Sequence, residues 1–294
     1  MPAGGRPTVR SRRLGAALRT YRQAAGLDQS DAAEKLMASV AKVSRMESGK
    51  VTSRPVEVRL LLDLYGVDSG EERERLESLA RESNRRGWWL DHRGTVSENY
   101  VSYIELENDA THIAAWQLAL IPGLLQTPGF TMAMLDANPA VVPVENREEA
   151  VRVRGARQRR IEEGQVRLTA IVWEPAITAP MRQVDIHREQ LRHLLRVAKL
   201  PNVTIQVLPL SAGNAARVAG PFTGMSFGHD PALEAVSFES FSNLVVVEAV
   251  EELAGYAYAL DTLRSAALTP DQTMAFLAKV LRQIPHDEGK EVQA

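Results

Sequence analysis

The sequence predicts a mainly α-helical protein with an α/β part: five short helices at the N-terminus, then a C-terminal α/β domain with a small mixed sheet. Three observations carry that expectation. Residues 12–65 place apolar side chains at helical spacing and interrupt them at Gly26, Gly49 and Pro55. Beyond residue 165 the period changes, with β-branched runs at 166–173 (VRLTAIVW) and 203–210 (VTIQVLPL) flanking an amphipathic stretch at 187–199. The chain has 294 residues, 45% of them hydrophobic, enough to bury two separate cores.

In LGAALRTYRQAAGLD, Leu14, Ala17, Leu18, Tyr21 and Ala25 recur as one helix face, and Gly26 closes a first helix over about 12–25. Asp28 is placed to cap a second helix, 29–36, whose inward residues are Ala32, Ala33 and Leu36. Small alanines there let helices cross closely. Ser39 caps a third helix, 40–47, with Val43 and Met46 on its apolar face and Val40, Ala41, Lys42, Ser44 and Arg45 on the other. Gly49 ends it. Arg54-Pro55 opens a fourth helix, where Val56, Leu60, Leu61, Leu64 and Tyr65 are available to cover the rest.

The run from LGAALRTYRQAAGLDQ through KVSRMESGK to VEVRLLLDLYGV resembles the phage-repressor type (XRE family) helix-turn-helix over about residues 13–67. That family usually has glycine in the turn, where this chain has Met37; a non-glycine residue in a left-handed conformation costs about 1–2 kcal/mol. Charge agrees with the resemblance. Residues 1–60 hold 12 Lys or Arg against 5 Asp or Glu, a net of +7, while the remaining 234 hold 23 against 32, a net of −9. A basic module on an acidic body suits phosphate binding driven by counterion release, which weakens steeply with salt.

Carried over position by position, the resemblance implies double-stranded DNA as partner and a homodimer on two half-sites. Gln29 would meet the backbone or an adjacent base edge. Val40, Ala41, Lys42 and Arg45 would project from the third helix into the major groove, with Ser39 at its start counted in the DNA-binding set; Arg45 is placed for bidentate recognition of guanine and Val40 and Ala41 for thymine methyls. Ser44, Lys50 and Arg54 read as phosphate or flank contacts, and Lys42 as either kind. Glu47 would repel phosphate from the groove face and is expected to pair internally with an arginine. Arg6, Arg10, Arg12 and Arg13 form a basic tail, either solvated or lying in the minor groove.

The expected boundaries are a flexible tail (1–12), the helix-turn-helix domain (13–68), a charged connecting helix and linker (69–90), an effector or partner-binding domain (91–285) and a second tail (286–294). Trp88 and Trp89 are expected to pack on the larger domain. After them come helices near 97–112, 128–137 and 145–163, with an apolar segment ending at Pro122-Gly123. The strand, helix and strand at 166–173, 187–199 and 203–210 predict a right-handed parallel crossover. PFTGMSFG, ALEAVSFES and NLVVVEAV add two or three strands, the first two antiparallel, and two helices at 248–267 and 270–284 finish the chain, the second capped by Thr269.

This body resembles the uncharacterised domain that follows such repressor modules in many filamentous, G+C-rich Gram-positive bacteria. The residues that carry the resemblance are WW (88, 89), IPGLLQT (121–127), RVRGARQRR (152–160), VTIQVLPL (203–210), GPFTGMSF (220–227) and LRSAAL (263–268). It implies a regulator or antitoxin-like factor whose large domain binds a small acidic companion protein, a ligand or another copy of itself. Where the family has an Asp-Glu-Ala type sequence after its first strand, WEPAI (173–177) keeps only Glu174.

Several function classes fall away. The chain has no cysteine, hence no disulfide, thiolate nucleophile or cysteine-bound zinc. No signal peptide or apolar run of membrane-spanning length is apparent, so a cytoplasmic location is expected. Gly224-Met225-Ser226-Phe227-Gly228 matches a nucleophile-elbow pattern, yet the strand and helix that an elbow needs are not both predicted around Ser226, which leaves a hydrolase using Ser226 as a remote alternative only. His187 and His193, six apart on a helix, make a poor metal pair and are expected at the surface. No catalytic residue, metal or cofactor is expected. The basic run Arg152, Arg154, Arg157, Arg159 and Arg160 has two readings. It is a solvated face balanced by Glu148, Glu149, Glu162 and Glu163, or a docking surface, centred on Arg157 and Arg160, for an acidic partner.

Overall fold

Local rules fix where the N-terminal helices begin and end. In the computed structural model, which describes residues 9–82, 88, 92, 97–137, 142–228, 230–239 and 244–285, the chain forms two units, Met1–Asp91 and His92–Ala294. The first holds α1 (Val9–Ala24), α2 (Gln29–Lys35), α3 (Val40–Glu47), α4 (Pro55–Leu64) and α5 (Gly70–Glu82). Asp28 accepts from the amides of Ser30 and Asp31 while Asp31 accepts from the Asp28 amide, a reciprocal cap on α2. The Ser39 hydroxyl accepts from the Lys42 amide at the start of α3.

Leu14, Leu18, Ala32, Ala33, Val43, Met46, Val58, Leu61, Leu62, Tyr65, Leu76 and Ala80 form one buried core. The crossing of α1 on α3 depends on Gly15, a residue the sequence reading passed over: a Cβ there would lie 2.3 Å from the Met46 carbonyl oxygen. Three expectations are corrected. Helix α1 starts at Val9, so Arg10, Arg12 and Arg13 are helical rather than tail; Ser11 Oγ donates to the Gly49 carbonyl (2.9 Å) and anchors that turn. Arg6 lies outside the described residues. In α4 the inward face is Val58, Leu61 and Leu62, with Tyr65 buried just past its end, whereas Val56 is 55% exposed and Leu60 36%. The connecting helix is instead the fifth helix of the bundle, because Leu76 and Ala80 seal the core and Arg59 holds Glu77 at 2.7 Å. Trp88 is half-buried; Trp89 lies outside the described residues.

The second unit is built on a mixed six-stranded sheet of order β3-β2-β1-β4-β5-β6. Its strands are β1 (His112–Gln117), β2 (Arg167–Trp173), β3 (Val203–Leu208), β4 (Phe222–Ser226), β5 (Ala235–Glu239) and β6 (Leu244–Val247). The pairs β1–β2 and β2–β3 are parallel; β1–β4, β4–β5 and β5–β6 are antiparallel. Among the described residues seven α-helices accompany them: α6 (Glu98–Asp109), α7 (Pro128–Ala137), α8 (Arg147–Glu162), α9 (Glu174–Thr178), α10 (Val184–Val197), α11 (Val250–Ala266) and α12 (Pro270–Gln283). The predicted crossover is β2, α10 and β3. Strand β1 was not foreseen, and it is the centre of the sheet. Trp116 on it is fully buried and donates from Nε1 to the Ala219 carbonyl (3.1 Å).

The β3 edge is closed by the turn before α12. Leu268 N–H donates to the Val207 carbonyl (2.9 Å), and Thr273 Oγ1, in the first turn of α12, accepts from the Val207 amide (3.0 Å). No helix among the described residues is long and apolar enough to cross a membrane.

Candidate nucleic-acid interface

Helices α2 and α3 are joined by Leu36, Met37 and Ala38, and the turn is held by bonds from the Leu36 amide to Ala32 O (3.1 Å) and the Ala38 amide to Ala33 O (2.9 Å). Met37 adopts φ 48°, the left-handed conformation expected of the family's glycine position, and its side chain is 95% exposed. It gains nothing from burial to offset the backbone cost of about 1–2 kcal/mol.

Behind the turn a buried ion pair fixes the angle of α3. The Arg22 guanidinium grips Glu47 with Nε at 2.6 Å and Nη2 at 3.1 Å, and Nη1 donates to the Leu27 carbonyl at 2.7 Å. Gln29 Nε2 adds a bond to Glu47 Oε2 (2.9 Å). The internal partner expected for Glu47 is therefore Arg22. The carboxylate hydrogen bond raises the Arg22 pKa further, against the opposing effect of burial. Tyr65 stands beside the pair, and burial followed by the charge of Glu47 pushes its hydroxyl up to about 12. The neutral phenol persists across the physiological range.

With Val43, Met46 and Glu47 turned inward, α3 presents Val40, Ala41, Ser44 and Arg45 to solvent. Arg45 and Lys50 have no side-chain partner among the described residues. Lys42 differs: its Nζ lies 2.5 Å from Glu57 Oε1. Glu57, at the third position of α4, also accepts from the Arg54 amide (2.9 Å) and stands 3.9 Å from Arg54 Nε. Burial would raise its pKa, but the Lys42 hydrogen bond and the Arg54 amide outweigh that and hold the carboxyl below its usual range.

The nine expected DNA-contacting residues thus separate by what their side chains already do. Arg45, Lys50, Ser44, Val40 and Ala41 are exposed, and the Arg54 side chain is 77% exposed. Ser39 is occupied as a cap, Gln29 with Glu47, and Lys42 with Glu57. Glu57 was overlooked as a modulator of this surface. The signal was present in Arg54-Pro55-Val56-Glu57, where an acid three residues after a helix boundary is placed to reach back to the amide there.

Residues 13–76 match the family described as a helix-turn-helix domain. Residues 100–279, more than half of the chain, match the family described as domain of unknown function DUF5753. The chain belongs to the DUF5753 family. No curated protein and no solved structure gives a significant match. The DUF5753 chain is thereby a DNA-binding regulator with its helix-turn-helix in the N-terminal unit.

In the DUF5753 domain neither reading of the basic run, solvated face or docking surface, describes Arg157 and Arg160, whose guanidinium groups are engaged inside the fold. Arg157 is 6% exposed and bonds Glu107 through Nε (2.7 Å) and Nη2 (2.6 Å), with its guanidinium carbon 5.4 and 5.2 Å from the ring centres of Tyr100 and Tyr103. Burial alone would lower the Arg157 pKa, but the Glu107 charge keeps it well above its ordinary value. Arg160 caps the end of α6, donating to the carbonyls of Glu107 (2.7 Å) and Ala110 (2.9 Å). Only the outer part of the run behaves as a solvated face, where Arg152 pairs with Glu149.

Other single residues also fall into structural roles. Ser226 is 1% exposed at the end of β4 and donates to the Pro231 carbonyl (2.9 Å). His187, expected at the surface, is 6% exposed, with Nε2 2.9 Å from the Ile177 carbonyl oxygen. His193 is half-buried; burial and Arg196 lower its pKa. Glu174 accepts from the Leu210 amide (2.8 Å), tying α9 to the loop after β3.

Proposed function

We propose that the chain is a sequence-specific transcriptional regulator of the XRE type that reads its operator chiefly through Arg45. The observation that carries this reading is the division of α3: its inner face is locked by Val43, Met46 and the Arg22–Glu47 pair, while Arg45 stands exposed and unpaired beside Val40 and Ala41. A guanidinium in that setting is free to hold guanine O6 and N7, with small apolar neighbours suited to thymine methyls. Lys50 and Arg54 serve the phosphates.

In this reading the protein acts in the cytoplasm, by binding rather than catalysis, and as a homodimer on two half-sites one helical turn apart. The DUF5753 domain carries the controlling interaction with a ligand, a small companion protein or a second copy. The supporting observation for non-catalytic action is local: the Ser226 hydroxyl is turned onto a main-chain carbonyl.

Fluorescence anisotropy on DNA from upstream of the protein's own gene tests the reading. Arg45→Ala should cost about 1–3 kcal/mol of preference for that DNA over a scrambled duplex and leave binding to the scrambled duplex nearly unchanged. Equal loss on both duplexes would make Arg45 a phosphate contact. No retained complex at low salt with wild-type protein would end the reading.

A further inference from the structure

Loop 218–221, β5 and the first turns of α11 enclose an open cleft of about 530 Å³, which nothing in the DNA-reading function uses. Its volume falls in the range of small-molecule sites. The walls are Gly220, Pro221, Phe238, Glu252, Gly255 and Tyr256.

Both sides of the cleft are held from beneath. Trp116, fully buried on the central strand, fixes the rim loop through its bond to the Ala219 carbonyl. Phe222 meets the Tyr256 ring edge-on at 5.1 Å between ring centres and sets the orientation of that wall. These contacts hold the rim loop and the Tyr256 wall in place. Gly255 lies inside α11, where glycine is among the poorest helix formers. No packing contact demands it, since a Cβ built there would meet nothing within 4 Å. Its effect is to leave space on the floor of the cleft.

The lining also has a definite chemistry. Among the described residues it contains one carboxylate, Glu252, and no basic side chain. Neither the Glu252 carboxylate nor the Tyr256 hydroxyl has a side-chain partner among the described residues. Two aromatic side chains, Phe238 and Tyr256, supply apolar area. A lining with one carboxylate and two aromatic side chains favours a cation on an apolar body over an anion of the same shape.

We propose that this cleft is a binding site for a small organic ammonium compound: an apolar, aromatic-sized body seated over Gly255, with its charged nitrogen against Glu252 and the Tyr256 hydroxyl. The inference stands apart from the DNA-reading face and survives its failure.

Isothermal titration of the full-length protein with 1-naphthylmethylammonium, 1-naphthalenemethanol and 1-naphthylacetate tests it, since the three probes share a ring and differ in charge. The ammonium should bind saturably and at least about fivefold more tightly than the alcohol, with the acetate weakest. Glu252→Gln should bring the ammonium down to the alcohol's level and leave the alcohol unchanged. Gly255→Leu, which improves helix propensity while filling the floor, should weaken all binding at least about tenfold without lowering the melting temperature; if that variant does not fold, Gly255→Ala should weaken it in part. Absence of saturable ammonium binding, equal affinity for ammonium and alcohol in the wild type, or indifference to the cleft-filling variants would each overturn the proposal.

Discussion

Arg45 on α3 and Arg157 on α8 are both arginines within helices, yet they have opposite fates. Arg45 on α3 is exposed and unpaired among the described residues; Arg157 on α8 is buried against Glu107 and two tyrosines. Residue type alone does not separate a reading head from an internal strut. What separates them is whether the fold brings a carboxylate from a distant segment, and Glu107 is 50 positions away from Arg157. Within the N-terminal unit the same contrast recurs at short range, since Arg22 is consumed by Glu47 while Arg45 is left free.

The sharpest way to break the comparison is to remove both arginines in turn. Arg157→Ala should destabilise the DUF5753 domain by about 3–5 kcal/mol, because it strands the buried Glu107 charge. Arg45→Ala should change stability by no more than about 0.5 kcal/mol, as a surface substitution. Urea denaturation of the full chain, followed by tryptophan fluorescence, separates the two outcomes. Comparable losses would mean that Arg45 has a structural partner. Glu47→Ala tests the strut inside the DNA-reading unit. Leaving Arg22 with only its bond to the Leu27 carbonyl should cost about 1.5–3 kcal/mol, and hydrogen exchange should rise across α1 and α3 before it rises in the sheet.

These contrasts also mark what the sequence makes legible. Caps at Asp28, Ser39 and Thr269 are local rules, and each predicted cap accepts the expected backbone bond. The parallel crossover follows from two alternating runs around a helix. Strand β1 escapes because HIAAWQ, a central strand, has no regular alternation and is separated from α6 only by Ala110 and Thr111. Helix α5 reads as solvated because its charges outnumber Leu76, Leu79 and Ala80, which nonetheless seal one face of the core. The fates of Arg157, Arg160 and His187 depend on tertiary partners that no spacing rule contains. At the DNA face the exposed set follows from helical periodicity, whereas the withdrawal of Lys42 depends on Glu57 from the next helix.

Met37 offers a smaller test. A residue held at φ 48° with a side chain 95% exposed has a conformational cost and no packing gain. Met37→Gly should stabilise the N-terminal unit by about 1 kcal/mol and leave operator affinity unchanged. A fall in the melting temperature, or a change in DNA binding, would show that the Met37 side chain makes a contact of its own, on DNA or on a second copy.

The smallest expected effect concerns the one basic residue of α3 whose fate is intermediate. Lys42 is neither buried like Arg157 nor free like Arg45, and Glu57 decides which way it turns. The Glu57 pKa is depressed below the usual 4.5 despite burial, so the Lys42–Glu57 pair contributes its stability fully above that value. The contribution disappears as the pH falls through the folded pKa, a loss of about 0–1 kcal/mol for a pair at the surface. At neutral pH, Glu57→Gln should release Lys42 in the same way without acid. A freed lysine that reaches a phosphate adds one displaced counterion, so the slope of log affinity against log salt on non-specific DNA should steepen by about 0.9. Discrimination between operator and scrambled duplex should fall at the same time, since the added contact is blind to sequence. An unchanged salt slope in Glu57→Gln would place Lys42 out of reach of the DNA backbone, leaving Arg45 as the sole cation of α3 that contacts DNA.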